Sequence, residues 1–231
     1  MNRPLYIIHG WAYDIAPWDS TVQRLRDAGY DVHQLRVPGL TTPTDHAWDI
    51  DNYVQWLDGE LTDAEQPIIL GHSNGGRIAL HYAKLHPQAF SHLILLSSAG
   101  VEVASEQLSL KRRVFRLASK ILAPLKHVPL ARKVVYRLLG SDYGTAPPHM
   151  QRTLANMLAS DHDFDPSSIT TPTSILWGED DRTTPPAMAR KLNKLLPEST
   201  LTTIPEWRHA PYRTHPDQLA DEIMKILRRQ S

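Results

Sequence analysis

Pro67-Ile68-Ile69-Leu70-Gly71-His72-Ser73-Asn74-Gly75-Gly76-Arg77-Ile78-Ala79-Leu80-His81-Tyr82-Ala83 reads as a strand, a sharp turn and a helix, with a serine at the apex of the turn. In a G-x-S-x-G spacing the small flanking residues permit a strained turn, which lifts the serine hydroxyl above the edge of a sheet. The helix that follows directs the positive end of its dipole at the same spot. The same letters also describe a plain helix start with an N-cap serine. The rest of the chain has to decide between the two.

Outward from this stretch, short apolar runs alternate with amphipathic segments. Strand-like runs are Leu5–Ile8, Asp31–Val37, Ile68–Leu70, Leu93–Ser97, Ser174–Trp177 and Ser199–Ile204. Helix-like segments are Trp18–Ala28, Ile50–Leu61, Gly75–Leu85, Pro186–Leu196 and Pro216–Arg229. Alternating β and α units predict an α/β protein, with a mainly parallel sheet flanked by helices on both faces. Right-handed crossovers then bring the C-terminal ends of the strands to one rim, where ligands bind in such sheets.

One region breaks the alternation. From 101 to 165 there is no convincing strand, while Leu110, Val114, Leu117, Ile121 and Leu122 recur at helical spacing. Leu130, Val134 and Leu138 repeat the pattern, and a third amphipathic segment covers His149–Leu158. We expect a core formed by residues 1–100 and 166–231, with a helical lid inserted at 101–165.

Composition narrows the function classes. The chain has 231 residues, 41% of them hydrophobic, which is enough for one sizeable core. A formal net charge of zero argues against a nucleic-acid partner. The absence of cysteine excludes disulfides and thiol catalysis. No signal peptide or membrane-spanning stretch is evident, so the expectation is a soluble, cytoplasmic protein with no stable membrane insertion. The neutral total hides an asymmetry. Residues 106–140 hold nine Lys/Arg and one acid, while the rest of the chain holds 16 Lys/Arg and 24 Asp/Glu. Arg112, Arg116 and Lys120 lie on one helical face. That face reads as a solvated surface, as a docking surface for an acidic carrier protein or the phosphates of coenzyme A, or as a membrane-surface contact.

Several elements converge on Ser73. His9-Gly10-Trp11 follows the first strand, so the backbone N–H of Trp11, with that of Asn74, is placed to hold an oxyanion. The Trp11 side chain is a candidate wall of the substrate site. Glu179-Asp180-Asp181 follows the run Ser174-Ile175-Leu176-Trp177, and an acid just past a strand end can orient a histidine. His209 follows the last strand. A serine hydroxyl is a weak nucleophile until a neighbouring base takes its proton, and histidine suits that role near neutral pH. The twelve histidines show no metal-ligand spacing, so no metal is expected, and acyl transfer by a serine, a histidine and an acid calls for no cofactor. His9 reads as a brace for its loop and His72 as a packing or elbow-supporting residue.

These motifs together resemble the α/β-hydrolase superfamily over nearly the whole chain: the H-G-W loop at 9–11, G-H-S-N-G-G at 71–76, W-G-E-D-D-R-T-T-P at 177–185 and H-A-P-Y-R-T-H-P at 209–216. The resemblance implies a triad in the order Ser73, Asp181, His209. The family's G-x-x-D-x-x-x-P pattern fits Gly178, Asp181 and Pro185, and so selects Asp181 over Asp180. Within the superfamily the chain is similar to small lid-bearing carboxylesterases, such as the pimeloyl-acyl-carrier-protein methyl esterase family, which has a tryptophan and a leucine where this chain has His72 and Asn74. The implied activity is cleavage of a small-molecule carboxylic ester with an apolar acyl part. C–C bond hydrolysis, thioester hydrolysis and acyl transfer are alternatives on the same triad. A non-catalytic ligand receptor is the alternative of another class.

Overall fold

A computed structural model describes residues 3–103 and 146–230. Six parallel strands form one sheet in the order β2-β1-β3-β4-β5-β6. They are β1 (Leu5–Ile8), β2 (Val32–Gln34), β3 (Ile68–His72), β4 (His92–Leu96), β5 (Thr173–Gly178) and β6 (Ser199–Ile204). The helices are α1 (Asp19–Asp27), α2 (Ile50–Glu60), α3 (Asn74–Leu85), α4 (Pro148–Ala159), α5 (Pro186–Leu195), α6 (Pro211–Thr214) and α7 (Pro216–Leu227), with a 3-10 turn over Ala16–Trp18.

The period-two geometry of a strand explains the two cores. Ile69, Leu93, Leu95, Ile175 and Trp177 face one side of the sheet, against α2, α3 and α5. Their neighbours Ile68, Leu70, Ile94, Leu96 and Leu176 face the other, against α1 and α7. Central strands β3 and β4 are buried along their whole length, which is why they read as unbroken apolar runs. Because all strands run parallel, residues 9–11, 73, 97 and 179–181 all leave the sheet at one rim.

One expectation needs correction, and one short helix was not expected. β2 stops at Gln34 instead of running from Asp31 to Val37. It is an edge strand, and Leu35 still donates to the Ile7 carbonyl at 3.0 Å. Pro38 then brings no N–H, and the chain turns through Gly39, whose N–H reaches Thr42 O at 2.7 Å. The single turn α6 has no apolar period to announce it. Its start rests on Pro211 at the first helical position, where a missing N–H costs nothing.

Of the expected lid, the third amphipathic segment is α4, which buries Met150, Thr153 and Met157. It is tied to the loop before α2: Trp48 N–H donates to Thr153 Oγ1 (2.9 Å), and Asn156 Nδ2 donates to Trp48 O (3.0 Å). The first two amphipathic segments, with Arg112, Arg116 and Lys120, lie outside the described residues. Among the described residues no helix is long and apolar enough to cross a membrane.

Candidate active site

Ser73 sits at the turn between β3 and α3 with φ 53° and ψ −116°. A non-glycine residue in that region carries about 1–3 kcal/mol of strain and persists only where its surroundings enforce it. Here they do: Ser73 N–H donates to Leu96 O (3.2 Å), and Ser73 O accepts from Gly76 N (3.0 Å) and Ala99 N (2.9 Å). The left-handed conformation therefore falls on the serine, not on the elbow glycines. The glycines serve close approach instead. A Cβ on Gly75 would stand 2.1 Å from Ile8 O, so only glycine lets α3 start directly against β1.

His209 arrives from the far side. The loop after β6 is stitched to the loop after β5 by Asp180 N–H on Trp207 O (3.0 Å). A Cβ on Gly178 would meet that same carbonyl at 2.1 Å, so only glycine lets the two loops pack this closely. His209 Nε2 stands 2.9 Å from Ser73 Oγ, and Nδ1 stands 2.9 Å from Asp181 Oδ2. The three side chains thus form one line of hydrogen bonds.

The Asp181 side chain is completely buried. Burial by itself pushes its pKa up. The hydrogen bond and charge of His209, with the bonds from Thr184, outweigh burial and hold the carboxyl below its ordinary value. Its Oδ1 accepts from Thr183 N (2.8 Å) and Thr184 N (2.9 Å). Asp180 is exposed.

The structure also brings the loop after β1 to the serine. A Cβ on Gly10 would lie 3.0 Å from Ser73 Cβ and 2.8 Å from His72 Nδ1. Asn74 is the first residue of α3, where a helix leaves N–H groups without an internal acceptor. His9 is buried and its pKa is lowered by that burial. Its Nδ1 lies 2.8 Å from Gly10 O and its Nε2 3.1 Å from Thr41 Oγ1, a brace for the loop.

Beside Ser73 lies a pocket of about 270 Å³. Trp11, Val101, Leu154, Leu158 and Met188 give it apolar walls, while Arg77 and Asp161 form a polar one. Arg77 donates through Nε and Nη2 to the two oxygens of Asp161, both at 2.7 Å, and also bonds Asn74 Oδ1. Among the described residues no group of three or more His, Asp and Glu is placed to hold a metal ion.

Three features of the site escape sequence reasoning. Thr184 Oγ1 lies 2.8 Å from Asp181 Oδ2, 3.1 Å from His209 Nδ1 and 3.0 Å from Ser97 O. The Arg77–Asp161 pair joins residues far apart in the chain. His72 does more than pack: its Nε2 lies 2.8 Å from His209 O. The D-x-x-T spacing at 181–184 is the one local signal that could have pointed to Thr184.

The profile of the alpha/beta hydrolase family matches residues 5–222. The chain is 28% identical over 237 residues to a pimeloyl-[acyl-carrier protein] methyl ester esterase of Vibrio parahaemolyticus, a match spanning 95% of this chain and 92% of that one. It is 27% identical over 257 residues to the enzyme of the same name from Aromatoleum aromaticum, spanning 99% and 100%. Among solved structures it is similar to an alpha/beta hydrolase enzyme from the metagenome of lagoon sediments at Mar Chica, Morocco. The TM-score is 0.72 at 22% identity, over 100% of this chain and 92% of that one.

Proposed function

This chain belongs to the alpha/beta hydrolase family as a carboxylesterase-like hydrolase, and from that premise we propose that it cleaves a carboxylic ester through an acyl-enzyme formed on Ser73. The observation that carries the reading is the line Asp181–His209–Ser73, with both links at 2.9 Å, beside a pocket. His209 takes the serine proton on Nε2 as Ser73 Oγ attacks the carbonyl carbon. Asp181, kept ionised by its donors, holds the Nδ1–H tautomer and stabilises the imidazolium that forms. The N–H groups of Asn74 and Trp11 receive the oxyanion. The alcohol leaves with the proton from His209, and water then opens the acyl-enzyme by the same steps.

The apolar walls of the pocket favour an apolar acyl part. Two relatives act, by name, on a methyl ester carried by an acyl-carrier protein. A carrier-borne ester is therefore the substrate class we favour, with the basic face at Arg112, Arg116 and Lys120 as its docking surface. Residues 101–165 would then act as a cap on a core of 1–100 and 166–231.

The test is turnover of a p-nitrophenyl ester series of rising acyl length, with Ser73→Ala as control. We expect the variant to lose about 10⁴-fold or more in kcat while remaining folded. Undiminished turnover would remove Ser73 from the mechanism. A wild-type protein that neither turns over esters nor reacts with a fluorophosphonate would indicate a ligand receptor. Replacing Arg112, Arg116 and Lys120 together should weaken hydrolysis of a carrier-bound ester much more than that of a free one. Equal losses would argue against docking.

A further inference from the structure

The residue before the nucleophile has a task that the reaction scheme does not use. His72 is 3% exposed and is not among the residues that line the pocket beside Ser73. Its ring lies among Trp18, Tyr212 and His209, at centroid distances of 5.8, 5.2 and 5.0 Å. Nε2 is 2.8 Å from the main-chain carbonyl of His209, and Nδ1 has no partner, facing the bare Cα of Gly10. A carbonyl only accepts, so the ring proton sits on Nε2 and is donated to His209 O.

We propose that His72 is a positioning residue for the base. Through its Nε2–H it pins the backbone of His209, so that the dipeptide His72-Ser73 holds the histidine at both ends. This rests on the reading of His209 as the general base. The side chain of Ser73 meets the ring of His209, and the side chain of His72 meets its main chain. The loop carrying His209 lies beyond the last strand and contains Glu206 at φ 65°, so no sheet ladder supports it there. A catalytic group must be held to about 0.5 Å, and a loop needs a supporting contact to reach that. Losing the donor would leave the His209 carbonyl unpaired and let the imidazole drift from Ser73 Oγ. Transition-state geometry would suffer, while the pocket that binds substrate would stay intact.

The arrangement requires an imidazole that stays neutral, since a second proton on Nδ1 would have no acceptor. Burial, followed by the charge of the nearby His209, pushes the pKa of His72 down to about 3, with the hydrogen bond to the His209 carbonyl and then Asp181 opposing and His9 adding to the shift. Tyr212 is the other titratable side chain packed on the ring.

The experiment compares Ser73→Ala, His72→Gln, His72→Asn and His72→Leu on a p-nitrophenyl ester. Glutamine places an N–H where Nε2 is, asparagine falls one methylene short, and leucine has no donor. We expect kcat to fall roughly 10–100-fold in the Asn and Leu variants with KM within about twofold, and glutamine to restore most of it. Glutamine as poor as leucine at equal folded stability, or leucine with wild-type kcat, would overturn the inference and leave the triad reading standing. Turnover surviving in Ser73→Ala would overturn both. A readout on the wild-type protein covers variants that do not fold. At pH 7 the ring nitrogen shifts of His72 should report the Nε2–H tautomer, and the Nδ1–H tautomer would overturn the proposal.

Discussion

At the residue scale, strained backbone at Ser73 is matched by side-chain support around Asp181. Ser73 bears the left-handed backbone, while Asp181 gathers three donors besides His209. The adjacent carboxylates supply a sharp test. Asp181→Asn would keep the shape but lose the charge and favour the wrong His209 tautomer, so kcat should fall about 10³–10⁴-fold. Asp180→Asn, at an exposed position, should stay within about twofold, as surface changes usually do. A reversed order in steady-state kinetics would move the acid to Asp180. Thr184→Val removes a hydroxyl shared by Asp181 and His209 while keeping the Thr184 N–H bond. It should lower kcat roughly 10-fold, with Thr184→Ser close to wild type. Ser73, Asp181 and His209 were legible because each closes a local pattern at a strand end. Thr184 and His72 were not, because their roles depend on His209, which is 25 and 137 residues away.

At the scale of elements, one face of α3 holds the segment Asp161–Asp165. Arg77 pairs with Asp161, His81 stacks on Phe164 at 4.0 Å, and Lys84 donates to Asp165 O at 2.9 Å. Positions 77, 81 and 84 share a face by helical spacing. The first turn of α3 carries the Asn74 N–H proposed for the oxyanion, so the helix that begins at the serine also holds Asp161–Asp165. The Arg77 and Asp161 side chains are 4% and 10% exposed, so removing one partner strands a buried charge. Arg77→Leu should cost about 3–5 kcal/mol in urea unfolding, and Arg77→Leu with Asp161→Leu considerably less. Equal losses in single and double variants would mean that packing, not charge, dominates. The elements were largely legible, since the period-two and helical patterns place most boundaries within two residues. The exceptions are β2, which pairs on one edge only, and α6, whose single turn is too short to show a period.

For the whole molecule, histidine burial sets an acid limit on folding. His72, His81 and His92 all have lowered pKa values, the first to about 3 and the other two to about 4, chiefly through burial. Around His81, Asp161 opposes the shift, while Arg77 and Lys84 add to it. Each of these groups is neutral in the fold and protonates near 6.5 when the chain unfolds. The unfolded state therefore binds more protons between pH 6.5 and 4, and stability must fall as pH falls through that window. Asp181 works in a separate range. Its lowered pKa contributes stability that is present above its ordinary carboxylate value and lost only as pH drops below it. The loss between pH 7 and 5 thus belongs to the histidines. His72 alone accounts for about 2 kcal/mol by pH 5, from a slope of about 1.4 kcal/mol per pH unit. His81 and His92 act in the same direction. Urea unfolding at pH 7, 6 and 5 should show the midpoint falling steadily, and His72→Gln should remove part of that slope because glutamine has no proton to gain. A midpoint that stays level from pH 7 to 5, or an unchanged slope in His72→Gln, would contradict a neutral, buried His72 behind the elbow.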